Sequence, residues 1–333
     1  MTTLVRAASL TNFAQIARAS GLNPDRMLLD AGLDPAVLAE PDLMVPVDRV
    51  RDLLQAAAAQ SGDPAFGLRM AMRRRLSNLG PVGMLVRDQP TARAALQVLT
   101  RHHAAMNGAL AMTLEQQSQV VLVREELLHT VSPKAARQSI ELAVGVVYVL
   151  LRELLGEGWQ PQCVCFTHAA PADPAGHHLL VGPRLAFGSE FNGIACLARD
   201  LDAPNPGADP QMVRYAQRLI ESSALAGEPS CVDEVRRNIA LLLPSGRCSI
   251  ERVAAQMGLV SRTVQRRLAE QGCSFSELVD EMRAELAQRH VVEGRRPLTD
   301  VASLLGFAAP SGFSRWYQQR FHCTPSQRRA ARV

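Results

Sequence analysis

The sequence predicts an α+β N-terminal domain, a helical subdomain plus a small, mainly antiparallel sheet, followed by an all-α domain of two helix-turn-helix units. Three observations predict it. One apolar pattern occurs twice near the C-terminus, the hydrophobic period upstream switches from helical to alternating near Leu110, and a Pro-rich stretch precedes the change to wholly helical sequence. At 333 residues, 47% of them hydrophobic and 20% charged, the chain suits two or three domains.

Residues up to about Asn107 read as short helices punctuated by Gly, Pro and Asp, among them Val47 to Gln60 and Thr91 to Asn107. Leu110 to Glu125 is strand-like, clearest in QVVLV, and a helix follows from about Pro133 to Leu155. Strand candidates resume at Gln162 to His168, Arg184 to Phe187 and Ile194 to Leu197, with no βαβ repeat visible. Pro204, Pro206 and Pro210 bend the chain before a helix at Gln211 to Ser223. The expected division is a domain over residues 1–223, a linker over 224–230 on composition alone, and a second domain over 231–333.

The repeat pairs Ile250 with Leu298, Val253 with Val301, Ala254 with Ala302, Met257 with Leu305, Gly258 with Gly306 and Leu259 with Phe307. Beyond the glycine the second copy carries one extra residue, which a turn absorbs, and Val264 then matches Phe313 and Leu268 matches Tyr317. Apolar residues three and four apart give each first helix a buried stripe, and the glycine suits a tight turn into a second helix.

The second helices carry the chemistry. At ~100° per residue, Arg262, Gln265 and Arg266 share one face, with Val264 and Leu268 roughly opposite. Ser311, Ser314 and Arg315 hold the matching positions in the second copy, backed by Phe313 and Tyr317. Arg bonds guanine bidentately, Gln suits adenine, and Ser reaches base edges or phosphates. A short Arg/Gln face is commonly only a solvated surface; its duplication favours DNA binding. Charge agrees: residues 244–333 hold 14 Arg against 8 Asp plus Glu, a net +6, while the preceding residues hold 22 basic against 24 acidic, a net −2. Such a field attracts phosphate without selecting sequence.

These residues resemble the AraC-type (AraC/XylS) transcriptional regulators across the C-terminal third. The similar motifs are Gly306-Phe307, Ser311, Phe313-Ser314-Arg315, Tyr317, Thr324-Pro325 and Arg329, with a joining helix over Ser276 to Val292. The resemblance implies recognition helices entering successive major grooves, about 34 Å apart. Three departures stand out: Val260 occupies the usual capping-serine position, so Ser261 is the expected cap; Gly312 lies inside a helix; and Arg328 replaces an aromatic. Pro310 suits a first helical turn.

The upstream region resembles the family's arabinose-binding N-terminal domain type. The matching pieces are Asp63 to Leu68, Gly80 to Gly83, Pro90-Thr91 with Ala95-Leu96, and a late segment including Phe166, His168, Pro171, Phe187 and Pro204 to Asp209. Regulators of this subtype answer to amino acids, amines and lipids among others, so the label does not name the effector. The resemblance implies promoter DNA, a small-molecule effector and RNA polymerase as partners, a homodimer, activation, and no cofactor. Trp159, Phe166 and His168 suit an effector pocket and equally suit ordinary core. The helix with Met212, Tyr215, Leu219 and Ile220 suits either a dimer interface or packing within its own domain.

No HExxH, GxSxG, Walker loop or GxGxxG occurs, and the histidines at 102–103, 168 and 177–178 read as structural, so the chain is not expected to be an enzyme. The seven cysteines form no CxxC pair and no zinc spacing. Cys163 and Cys165 share one side of a strand, which keeps a redox-responsive regulator as an alternative beside a ligand-independent DNA binder. Arg73-Arg74-Arg75 reads as a solvated helix end. Neither a bilayer-spanning run nor a signal-peptide pattern is seen, and a cytoplasmic protein is expected.

Overall fold

A computed structural model describes residues 3–128, 133–221, 230–243, 246, 248–288, 290–291 and 297–330. The chain divides into two compact units, Met1–Leu127 with Lys134–Glu228, and Leu128–Pro133 with Pro229–Val333. The expected linker at 224–230 falls, save for Ser230, outside the described residues.

In the first unit, β1 (Leu4–Arg6) pairs antiparallel with β2 (Met44–Pro46). Between and after them come α1 (Phe13–Ala19), α2 (Pro24–Asp30), α3 (Val47–Ser61), α4 (Phe66–Ala71), α5 (Pro81–Arg87) and α6 (Ala92–Met106). Helix starts follow capping chemistry: Asn23 accepts from the Arg26 N–H, and Thr91 from the Ala94 N–H. Phe13, Ile16, Leu28, Leu53, Leu54 and Phe66 close one buried cluster.

A second core lies against a five-stranded sheet, ordered β3-β4-β7-β5-β6. Its hairpin is β3 (Leu110–Gln117) and β4 (Val120–Leu127), followed by the long α7 (Pro133–Leu155). Then come β5 (Cys163–Cys165), α8 (Ala175–Val181), β6 (Leu185–Ala186), β7 (Asn192–Leu197), α9 (Ala198–Leu201) and α10 (Pro210–Glu221). The sheet is mainly antiparallel, as expected, but β5 and β6 run parallel and α8 lies between them in sequence. Both strands fall inside expected strand segments, Gln162 to His168 and Arg184 to Phe187; what the sequence reading lacked was α8 between them, only seven residues long, and the direction of pairing, which no single-strand pattern encodes.

The motif from Asp63 to Leu68 explains how α4 meets α7. Asp63 accepts from the Ala65 N–H at 3.0 Å and from Arg69 Nε at 2.7 Å. The Gly67 N–H donates to Gln138 Oε1 at 2.7 Å, and a Cβ on Gly67 would sit 2.1 Å from the Gln138 carbonyl oxygen. Only glycine allows that approach. On α10, Ala216 and Ile220 are buried in the core of their own unit, Met212 and Leu219 are half-buried, and Tyr215 is 54% exposed.

The second unit is all-α. It comprises α11 (Cys231–Leu242), α12 (Ile250–Gln256), α13 (Ser261–Glu270), α14 (Phe275–Gln288), α15 (Leu298–Leu304), α16 (Pro310–Phe321) and α17 (Pro325–Ala330). Sequence reading missed α11, although Ser230 caps it, Asp233 and Glu234 fill its first turn, and Val235 and Ile239 form its buried stripe. The joining helix, expected over Ser276 to Val292, is α14 and ends at Gln288. Val292 lies outside the described residues.

Candidate nucleic-acid interface and effector cavity

Each helix-turn-helix is built from the inside outward. In the first, Ser249 accepts from the Arg252 N–H to start α12, and Val253 and Ala254 are buried. Gly258, at φ +66°, turns the chain, and the Leu259 N–H closes back to the Ala254 carbonyl at 2.8 Å. Val264 and Leu268 then bury one face of α13, and Arg262, Gln265 and Arg266 are all exposed on the other. Arg266 Nη1 meets Glu270 at 2.7 Å, one helical turn on.

The expected cap is corrected here. Val260 occupies the N-cap position of α13 with extended backbone and no side-chain cap, and Ser261 is already the first helical residue. Its hydroxyl cannot cap the helix it belongs to, so the first free N–H groups of α13 lack a side-chain acceptor at the N-cap.

The second helix-turn-helix repeats the plan with larger side chains. Gly306 turns at φ +73°, the Phe307 N–H reaches the Ala302 carbonyl at 3.0 Å, and Pro310 opens α16 in its first turn. Phe313 and Tyr317 are buried, while Ser311, Ser314 and Arg315 are exposed. Gly312 lies in the first turn of α16 rather than its interior, where its cost is smallest. Trp316 Nε1 donates to Asp280 Oδ1 on α14 at 2.5 Å, and the Arg283 guanidinium lies 4.8 Å from the Phe307 ring centre. Arg329 donates from Nε to the Val291 carbonyl at 3.3 Å, whereas Arg328 is exposed.

All six expected DNA-contacting residues therefore lie on exposed faces, three on each second helix, backed by buried apolar pairs. Free carbonyl and amide edges of bases are within the chemical repertoire of these side chains.

The candidate ligand residues Trp159, Phe166 and His168 stand apart from the cavity of the first unit. A cavity of about 150 Å³ opens inside the first unit, walled by apolar side chains and by Arg6, Arg74, His103 and Glu125. None of Trp159, Phe166 and His168 lines it. Trp159 packs against the core and donates from Nε1 to Asp200 at 3.2 Å. Phe166 is fully buried and stacks on His168, ring centres 5.2 Å apart. His168 Nε2 lies 3.2 Å from Glu141 Oε1, which His177 Nε2 and Arg137 Nε also approach, at 3.0 and 2.9 Å. Burial alone would push the Glu141 carboxyl up; the His168, His177 and Arg137 contacts outweigh it and hold it at about 2. This is a buried network bracing α7 against α8, which gives His168 and His177 structural partners. Among the described residues, no group of three His, Cys, Asp or Glu side chains is placed to hold a metal ion.

The basic run is corrected as well. Arg73 and Arg75 are exposed, but Arg74 turns inward, its Nη1 donating to the Ala8 carbonyl at 2.5 Å and Nη2 to the Ser9 carbonyl. Burial lowers its pKa to about 10. Among the cysteines, burial pushes the thiols of Cys165 and Cys196 up to about 12, which leaves little thiolate for redox chemistry.

Comparison with known proteins agrees with this architecture. Residues 21–205 match the model of the arabinose-binding domain of AraC transcription regulators, and residues 253–331 match a helix-turn-helix domain. The chain is 29% identical over 329 residues to the HTH-type transcriptional regulator VirS of Mycobacterium tuberculosis, covering 98% of this chain and 96% of VirS. It is 24% identical over 316 residues to the ornithine utilization regulator of Pseudomonas aeruginosa, covering 93% and 92%. The crystal structure of the regulator CdpR from Pseudomonas aeruginosa aligns over 92% of this chain and 96% of that one, at 19% identity and a TM-score of 0.45. These relatives are regulators, not enzymes. With its N-terminal match spanning more than half of its length and the helix-turn-helix match following, the chain belongs to the AraC family of DNA-binding transcription regulators.

Proposed function

We propose that this regulator is a ligand-responsive activator that reads promoter DNA with α13 and α16 in successive major grooves. Residues 1–223 sense the effector and dimerise, 224–230 connect, and 231–333 bind DNA. Arg262, Gln265 and Arg266 read one groove, Ser311, Ser314 and Arg315 the next. The observation that carries the reading is the pair of exposed polar faces on the two second helices, each backed by a buried apolar pair.

Effector binding favours one arrangement of the chain and so changes occupancy at the promoter. A homodimer on tandem half-sites gains avidity without new base contacts, and RNA polymerase is the partner through which occupancy becomes activation. The work is cytoplasmic, where the chromosome is. No described helix is long and apolar enough to cross a membrane.

Footprinting of the full-length protein on sites selected from random DNA tests the reading. The expected pattern is two protected stretches per monomer on one face, one helical turn apart, with log affinity falling linearly as log salt rises. Protection of equal strength on every sequence would overturn it.

A further inference from the structure

The cavity in the first unit is unlike a packing defect, because titratable side chains stand at positions that the local pattern reserves for apolar ones. On β4, Val121, Val123, Glu125 and Leu127 all point to the core, and Glu125 is only 2% exposed. On α6, His103 continues the buried stripe of Leu96 and Leu99. Arg6 on β1 is 6% exposed, and Arg74 comes in from the end of α4. Three elements and the segment after α4 thus deliver polar groups to one apolar chamber. Buried polar groups are ordinarily paired.

Several of these are not. Glu125 Oε2, Ser9 Oγ and Arg74 Nε are buried without a hydrogen-bond partner, and all three residues line the cavity. Arg6 is neutralised by Asp42. Arg74 has only main-chain carbonyls as hydrogen-bond partners, so its charge lacks a paired carboxylate. The side chains beside Glu125 on the neighbouring strands are Met112 and Asn192, neither of them charged.

Burial raises the Glu125 carboxyl to about 8, so near neutral pH it carries its proton and donates rather than accepts. Ser9 Oγ and Arg74 Nε are donors too. A chamber rich in donors and bearing one uncompensated cation fits an acceptor with negative charge. Its size fits a small body, since a cavity of about 150 Å³ accommodates benzene.

We propose that this cavity is the effector site and that it takes a small monocarboxylate of about six to eight carbons in all, with an apolar body. The proposal rests on the ligand-responsive reading above and names the chemistry of its effector. An amine of equal length is the opposite class, since it would need Glu125 ionised and would meet Arg74 as a like charge.

The test follows the melting temperature and calorimetric binding of the full-length protein with hexanoate, hexylamine and hexanol between pH 6.5 and 9. Hexanoate is expected to raise the melting temperature in a dose-dependent way at pH 7, the other two far less. Its affinity should fall about tenfold from pH 7 to pH 9 as Glu125 ionises, and Glu125→Gln, which keeps a neutral donor, should bind hexanoate with a flat profile. Preference for hexylamine, with affinity rising through pH 8, overturns the carboxylate while leaving ligand response standing. Binding of none of the three overturns it too, and so does a pH-independent hexanoate affinity in the unsubstituted protein. Footprinting of α13 and α16 variants reports on DNA reading separately, so the two failures are distinguishable.

Discussion

In the first helix-turn-helix, Val264 and Leu268 hold α13, and the face turned outward carries Arg262, Gln265 and Arg266. In the second, Phe313 and Tyr317 take the matching positions, Phe307, Trp316 and Phe321 pack around them, and Asp280 on α14 accepts from Trp316. Its outward face carries two serines and one arginine. The first helix-turn-helix thus has a slender core and long exposed side chains; the second helix-turn-helix has a wide aromatic core and shorter ones. Duplicated backbone does not impose equal side chains: aromatic packing is concentrated around α16, and the longer exposed polar side chains are on α13.

Core truncation separates the two most. Phe313→Ala is expected to cost about 3–5 kcal/mol in urea denaturation, against about 1.5–3 kcal/mol for Val264→Ala. Equal losses would erase the distinction between wide and slender cores. Next in size, Asp280→Ala leaves the Trp316 indole without its acceptor and removes the partner of Arg320, 3.7 Å away, for about 1.5–3 kcal/mol of stability.

DNA affinity should show the reverse asymmetry. Arg266→Ala is expected to lose about 1–3 kcal/mol at the selected site together with base preference, and Ser314→Ala about 0.5–1.5 kcal/mol. A larger loss at Ser314 would transfer the reading role to α16. The turns, by contrast, should behave alike. A Cβ on Gly258 meets nothing within 4 Å, and one on Gly306 meets the Leu243 carbonyl at an ordinary 3.4 Å, so only the positive φ is at stake. Either Gly→Ala change should lower stability by about 1 kcal/mol, read as a similar drop in melting temperature. Smallest of all, Glu270→Gln releases Arg266 from an exposed ion pair and should raise DNA affinity by no more than about 0.5 kcal/mol.

Legibility followed element length. Val47 to Gln60, Thr91 to Asn107 and Pro133 to Leu155 were readable because several turns repeat one apolar stripe, and the structure places helices at Val47–Ser61, Ala92–Met106 and Pro133–Leu155. The β1–β2 pair was not, since three residues per strand carry no period and their pairing depends on partners 40 residues apart. The missed α11 is different: its cap, acidic first turn and apolar stripe were all present in the sequence. For the exposed faces of α13 and α16, helical periodicity sufficed, because one helix face is a local property. For Trp159, Phe166 and His168 it could not, because aromatic character marks core and pocket alike, and only the fold shows Phe166 sealed in the core and His168 joined to Glu141.

The sequence by itself determined the family, the two helix-turn-helix units, the faces that look outward and the division of charge between the halves. The family rests on the resemblance of its motifs to known regulators; the rest follows from periodicity, spacing and composition, which act over a few turns of chain. Only the tertiary structure decided that a cavity opens inside the N-terminal unit, that Arg74 points inward, and that Glu125 Oε2 is buried there without a hydrogen-bond partner. The cavity is assembled from residues between Val5 and Val147, and the protonation of Glu125 follows from burial by all of them together. Burial is a sum over neighbours brought in from distant parts of the chain, and no local pattern contains that sum.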